Sequence, residues 1–355
     1  MAAKLLSFYC PLEGAIHPQV DEMERRALSW VDAFDFCATP QERAWVRGSR
    51  AAEFYARFAP TADVERAWLA AAWTYWGFAF DDARCDEGPY SADPAAFAAM
   101  AAGVQRALET PGPAHFDDPY AAALHDLGER FRACAGPARM RRFTHAHRAW
   151  LTGVQWQVGN AARGYMPTLD EYLTMRLHSA GGEPTYAMLE IANGTEAPAD
   201  EMDSPAVLAL TEMAILVAAL DNDRHSLRKE APLGQAGQNI FNVLINQHGY
   251  SLDRAIDDAV ALRDRVLVRF LRLREKTLLS ASPPLVRYLE DLGHGIRGNA
   301  EWGQQVMRYQ SLDHAAETPG HPSAPPALQW ADHPADPDPT PIAVPAINWW
   351  WNEFP

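Results

Sequence analysis

No segment of the chain alternates apolar and polar residues in the manner of a half-buried strand, so the core is expected to be all-α. There is no internal repeat either. The four cysteines, Cys10, Cys37, Cys85 and Cys134, are scattered and show no C-x-x-C spacing, which reads as reduced thiols in a cytoplasm. Met1 to Cys10 is too short for a signal peptide, and no stretch is expected to reach the length of a membrane helix. Positive charge is also short, with 31 Lys and Arg against 46 Asp and Glu and a formal charge of -15. That balance argues against nucleic acid and against an acidic membrane surface as partners. It also means that an anionic substrate must be held by local cations rather than by the global field.

Apolar residues are plentiful, at 48% of 355, and they recur with helical spacing. An extended lead-in, Ser7-Phe8-Tyr9-Cys10-Pro11, precedes helical periodicity from Val20 to about Phe36. Thr39-Pro40-Gln41-Glu42 is a helix start, and the pattern predicts one helix from there to about Phe58. Further helices are expected over Asp63–Phe80, Pro94–Leu108, Pro119–Ala135 and Pro137–Arg163. Another begins at Thr168 and is broken at Ala180-Gly181-Gly182-Glu183-Pro184. A long apolar helix opens at Ser204-Pro205, and three more helical patterns end near Tyr309. From Pro319 the composition changes, with ten prolines in the last 37 residues, which no packed helix tolerates. That tail also holds Trp330 and Trp349-Trp350-Trp351. Exposed indoles are costly to leave in water, so residues 313–355 are expected to pack on, or lid, a helical domain formed by 1–312.

Two oxygen-rich clusters carry the chemistry. Asn222, Ser226 and Glu230 stand at i, i+4 and i+8 near the end of the long apolar helix, so they stack on one face. An amide, a hydroxyl and a carboxylate in one stripe suit a hard divalent cation such as Mg²⁺. Lys229 beside them adds positive charge, which an anion bridging metal and lysine would want, and diphosphate is the obvious candidate. About 140 residues earlier, Asp81 and Asp82 with Asp86 form D-D-x-x-x-D at another helix end. Adjacent carboxylates repel unless a cation neutralises them, so this too reads as a metal site, and the two clusters could clamp a metal–diphosphate between them.

With those motifs the chain resembles the bacterial class I terpene synthases (terpene cyclases) of the isoprenoid synthase fold. Asp81-Asp82-x-x-x-Asp86 is similar to their aspartate-rich motif, and Asn222-Asp223-x-x-Ser226-x-x-Lys229-Glu230 matches their N-D-x-x-S-x-x-K-E without a departure. The resemblance runs from about Phe8 to Tyr309. It implies a single helical bundle around a central cavity, three Mg²⁺ ions, and ionisation of a linear isoprenyl diphosphate followed by carbocation cyclisation. It also implies a diphosphate-sensing Arg176, an Ala180 carbonyl aimed at the cation with Ser179 as linker, and diphosphate contacts from Lys229, Arg308 and Tyr309. Phe54, Phe78 and Trp302 are the implied aromatic wall, with Trp73 and Trp76 as further candidates. Gly77, four residues before Asp81, occupies the pocket floor, where many C15 cyclases carry a bulky residue. Geranylgeranyl diphosphate is therefore favoured over farnesyl diphosphate; the other reading of Gly77 is close helix packing.

The rival readings are weaker. A prenyltransferase of the same fold would carry a second aspartate-rich motif in place of Asn222/Ser226/Glu230. A non-catalytic all-α module would have lost ligands. A phosphohydrolase would need a general base; His178 and His225, near the motifs, are expected on helix surfaces. The resemblance admits a homodimer, for which the sequence itself carries no signal.

Overall fold

The computed structural model describes residues 7–34, 36–37, 39–86, 88–230, 237–306 and 329–354, the side chains of 228–230 excepted. A short strand β1 (Ser7–Tyr9) is followed by α1 (Val20–Asp32), α2 (Pro40–Gly48), α3 (Ala51–Phe58) and α4 (Val64–Phe80). The end of α4 continues as a π-helical turn over Asp81–Asp86. Then come α5 (Pro94–Glu109), α6 (Pro119–Cys134), α7 (Pro137–Ala162), α8 (Leu169–Ser179) and α9 (Gly182–Ala187). The short α10 (Leu189–Asn193) and α11 (Ala199–Met202) lead to α12 (Pro205–Glu230), α13 (Ile240–His248), α14 (Leu252–Leu278) and α15 (Pro283–Gln305). Strand β2 (Gln329–Ala331), α16 (Pro345–Asn348) and a 3₁₀ turn at Trp349–Trp351 close the described chain.

Side chains at the helix starts satisfy backbone N–H groups that have no partner within the helix. Thr39 and Thr168 form capping boxes with Glu42 and Glu171. Asp93 and Asp118 each accept from two backbone N–H groups ahead of a proline at the first helical position. The single helix expected from Thr39 to Phe58 is instead two. The chain turns at Arg50, whose φ of 50° and ψ of 44° are left-handed, a conformation that costs a non-glycine residue about 1–2 kcal/mol. Ala51–Phe58 is buried on nearly every side, so no one-sided stripe marks where the second helix begins.

α12 is the core helix, packed against α14, α15 and α8. Contrary to the sequence expectation, its Pro205–Leu227 stretch is long and apolar enough to cross a membrane, with a mean hydropathy of 1.5. Its neighbours account for that composition, since a helix covered on most sides is apolar on most sides.

Two three-residue strands are too short to show alternation: the first falls in the expected extended lead-in, while the second and the pairing carry no sequence signal. They pair in parallel, Phe8 opposite Trp330. Beyond them the described tail lies along α14 and α8. Trp350 is fully buried and its indole donates to Glu212 at 2.7 Å. Arg269 donates to the Trp350 and Asn352 carbonyls at 2.8 and 3.0 Å, and the Ala346 N–H donates to Asp170 at 2.7 Å. Burying an indole of this size stabilises by roughly 1.5–3 kcal/mol, which offsets the cost of ordering a proline-rich segment.

Candidate active site

The first oxygen cluster depends on the π-helical turn. In an α-helix, residues five apart are rotated by about 500°, which leaves their side chains about 140° apart. The i→i+5 bonding of a π-helix brings them back to one face. Here the carboxylate oxygens of Asp81, Asp82 and Asp86 lie within 4.8 Å of one another. Asp81 and Asp86 line the central cavity, while Asp82 accepts from the indole of Trp45 at 3.0 Å and does not line it. Arg84, within the same turn, pairs with Asp118 at 2.8 Å and lies over the rings of Tyr90 and Tyr120. Burial, followed by the field of Asp81 and Asp86, pushes the Cys85 thiol well above its ordinary value, so it stays protonated. The cluster is an all-oxygen, multiply anionic donor set, the kind that fits a hard divalent cation.

The second cluster reaches the same cavity from α12 through Asn222 and Ser226. Asp223, buried at the cavity wall beside them, accepts from the Ile240 N–H at 2.9 Å and from the Tyr172 hydroxyl. Its other oxygen accepts from Arg176 Nη2 at 2.9 Å, and that same nitrogen donates to Asn222 Oδ1 at 2.9 Å. Arg176 is thus anchored at the cavity wall beside the amide oxygen of the motif. The backbone of α12 runs through Lys229 and Glu230, but their side chains lie outside the described residues, as do Arg308 and Tyr309.

Between these clusters the α8/α9 break faces the cavity. Gly181 takes a positive φ of 71°, which glycine adopts at no steric cost. Pro184 has no N–H, so the Ala180 carbonyl loses the partner that a continuous helix would supply four residues on. Ala180 and Ser179 line the cavity, and the Ser179 hydroxyl is buried with no hydrogen-bond partner among the described residues.

The cavity, about 370 Å³ in volume, has an aromatic wall as well. Phe78 stacks on Trp302 at 5.3 Å and 12°, and Phe54 meets both edge-on, at 5.7 and 4.8 Å. Trp302 is oriented by its indole N–H, which donates to the Ser49 carbonyl at 2.9 Å. The left-handed turn at Arg50 is what presents that carbonyl. Trp73 and Trp150 also line the cavity, whereas Trp76 lies behind them and donates to the Tyr120 carbonyl at 3.0 Å. A Cβ built on Gly77 would meet only the indole of Trp73, at 3.7 Å, and no atom of another helix within 4 Å. Close helix packing therefore does not require the glycine.

Every described candidate except Asp82 and Trp76 lines this one cavity. Sequence reasoning missed Tyr186, Thr185 and Gln157, which also line it; none belongs to a motif, so no signal pointed to them. His225, expected at a helix surface, is half-buried instead: its ring stacks on Phe8 at 5.3 Å, and burial lowers its pKa to about 3.

Solved structures place the fold. Hedycaryol synthase in complex with nerolidol superposes with a TM-score of 0.72 at 21% identity, covering 83% of this chain and 98% of that one. The all-α bundle is that of the class I terpene synthases. A crystal structure of the SVS_A2 protein from ancestral sequence reconstruction is nearer, with a TM-score of 0.87 and 52% identity over 97% of this chain and 98% of its own. Spiroviolene synthase of Streptomyces violens is 50% identical over 347 residues, 97% of this chain and 96% of the relative. The family described as terpene synthase family 2, C-terminal metal binding, matches residues 72–268, and the chain belongs to it. It is a terpene synthase, a lyase acting on a prenyl diphosphate.

Proposed function

We propose that this enzyme is a Mg²⁺-dependent cyclase of geranylgeranyl diphosphate that releases diphosphate and a cyclic C20 product. The observation that carries the reading is the convergence of Asp81, Asp86, Asn222, Ser226 and Arg176 at one aromatic cavity. Asp81 and Asp86, with Asn222, Ser226 and Glu230, would hold the metal, three ions by the family resemblance. Bound Mg²⁺ supplies concentrated positive charge to the departing diphosphate.

The chain's own residues do the rest. Asp223, held by Tyr172 and the Ile240 N–H, fixes the guanidinium of Arg176 where two N–H groups can donate to diphosphate oxygens as charge develops on them. Lys229, Arg308 and Tyr309 are the further donors expected. Once the C–O bond breaks, the Ala180 carbonyl dipole and the faces of Phe54, Phe78 and Trp302 stabilise the allylic cation. Gly77 leaves the floor open for the fourth isoprene unit.

The test is incubation of purified protein and Mg²⁺ with geranyl, farnesyl or geranylgeranyl diphosphate, each alone, and identification of the products by gas chromatography–mass spectrometry. A cyclic C20 product from geranylgeranyl diphosphate, abolished by EDTA, is the expected result. A cyclic C15 product with no C20 turnover would overturn the assignment of chain length. Linear alcohols alone would overturn cyclisation.

A further inference from the structure

The helix that presents Asn222 and Ser226 is gripped from behind. Asp221, Arg224 and His225 project from its other faces, and all three meet the chain termini or what holds them. Asp221 is fully buried and takes a bidentate pair from Arg263, at 2.9 and 2.7 Å, and Arg263 also donates to the Tyr9 carbonyl. Arg224 donates to the Ser7 carbonyl at 2.6 Å, with its guanidinium 3.7 Å from the centre of the Phe8 ring. His225 stacks on that same ring, and Phe8 has no solvent exposure.

Across the parallel pair, Trp330 stands opposite Phe8 with ring centres 6.4 Å apart, and Arg297 of α15 lies 3.3 Å over the Trp330 ring. Two three-residue strands are not stable on their own; these contacts to α12 and α15 hold them. Among the described residues neither strand lines the cavity. Their influence on the site is therefore indirect, and the route to Asn222 and Ser226 is through α12, which carries Arg224 and His225.

We propose that the β1–β2 pair is a positioning clasp for the Asn222/Ser226 end of the site. Phe8 and Trp330, acting through Arg224 and His225, set the rotation of the last turns of α12, and with it the strength with which that end holds a divalent cation and diphosphate. The inference rests on Asn222 and Ser226 serving as oxygen ligands. Groups that orient ligands in this way typically change metal affinity 10–100-fold when altered.

The test is binding of Mn²⁺ in the presence of inorganic diphosphate, read from the free-ion electron paramagnetic resonance signal on the full chain. Trp330→Ala is expected to weaken Mn²⁺ binding by about tenfold, with Trp330→Phe restoring most of it. Gly303→Ala approaches from another helix: its Cβ would stand 2.4 Å from His225 Cδ2, displacing the imidazole from its stack on Phe8, and the same weakening is expected. If Trp330→Ala folds too poorly to titrate, Gly303→Ala decides by the same criterion. A lowered melting temperature with the Mn²⁺ Kd unchanged within twofold would overturn the clasp, leaving it a structural strap. Asn222→Ala separates the two readings: if it binds Mn²⁺ as the parent does, the ligand assignment fails, whatever the clasp variants show.

Discussion

Substitution at Gly77 separates two explanations for one missing side chain, because they predict effects of opposite sign. If the glycine leaves room for substrate, Gly77→Ala should be harmless to the fold. Its Cβ would sit at ordinary van der Waals distance, 3.7 Å, from Trp73, and replacing a helical glycine stabilises by about 0.5–1 kcal/mol. If instead the glycine were needed for helix packing, the same change would overpack the core and cost about 1–3 kcal/mol. Gly77→Leu then probes function. A leucine side chain takes up roughly 100 Å³ on the scale of leucine-to-alanine cavities, more than a quarter of the 370 Å³ available. Forcing a C20 chain into the remainder should cost 1–3 kcal/mol in the transition state, or roughly 5- to 150-fold in kcat/KM. A C15 chain, one isoprene unit shorter, should lose far less. The assay is competition between geranylgeranyl and farnesyl diphosphates with product ratios read by mass spectrometry, alongside melting curves. A ratio unchanged within about threefold in a folded Gly77→Leu protein, or a destabilised Gly77→Ala, would refute the reasoning.

Asp81→Asn should lower kcat by about 10²–10³, the scale for losing one preorganised charge-stabilising group. Asp82→Asn should cost less, because that carboxylate is turned to Trp45, and single-turnover diphosphate release would rank the two. Asp223→Asn should raise KM for the diphosphate without unfolding the protein, since it loosens Arg176 but leaves the Ile240 N–H an acceptor; steady-state kinetics on folded protein checks this. His147 is buried among Trp73, Trp76 and Trp150, and burial lowers its pKa to about 3. The unfolded chain binds a proton at about pH 6.5 that the folded chain refuses. Stability should therefore fall as pH drops from 6.5 toward 3, by up to about 1.4 kcal/mol per pH unit from this group. His147→Gln should flatten that slope in denaturant titrations between pH 7.5 and 4.5; an unchanged slope would assign the acid loss to other groups.

Much of the site was legible because its chemistry constrains residue identity. Asn222 and Ser226 are oxygen-bearing side chains at helical spacing, Asp81 and Asp86 stand out as carboxylates in a short acidic run at a helix end, and Pro184 lacks the N–H that would pair with the Ala180 carbonyl. What stayed hidden depended on distant partners. Nothing near Asp82 shows that Trp45, 37 residues away, turns it aside. Nothing in α12 shows that His225 meets a strand from the start of the chain. The break at Ser49-Arg50 is hard to read from periodicity because the second half, Ala51–Phe58, is buried on nearly every side, yet it supplies the carbonyl that orients Trp302. The pairing of β1 with β2 joins residues more than 300 positions apart through segments too short to carry any pattern.

The π-helical turn at Asp81–Asp86 bears on how such a site can drift. A π-turn is an α-helix carrying one residue more than its hydrogen bonding requires. Deleting a residue from a helix ordinarily swings everything beyond it by about 100°. Here, loss of Ala83, Arg84 or Cys85 would let the segment relax to α-geometry and return the last aspartate to i+4, still on the face of Asp81. The spacings D-D-x-x-x-D and D-D-x-x-D are in that sense two spellings of one carboxylate arrangement, and a lineage could pass between them by a single codon deletion without ever losing its grip on the cation.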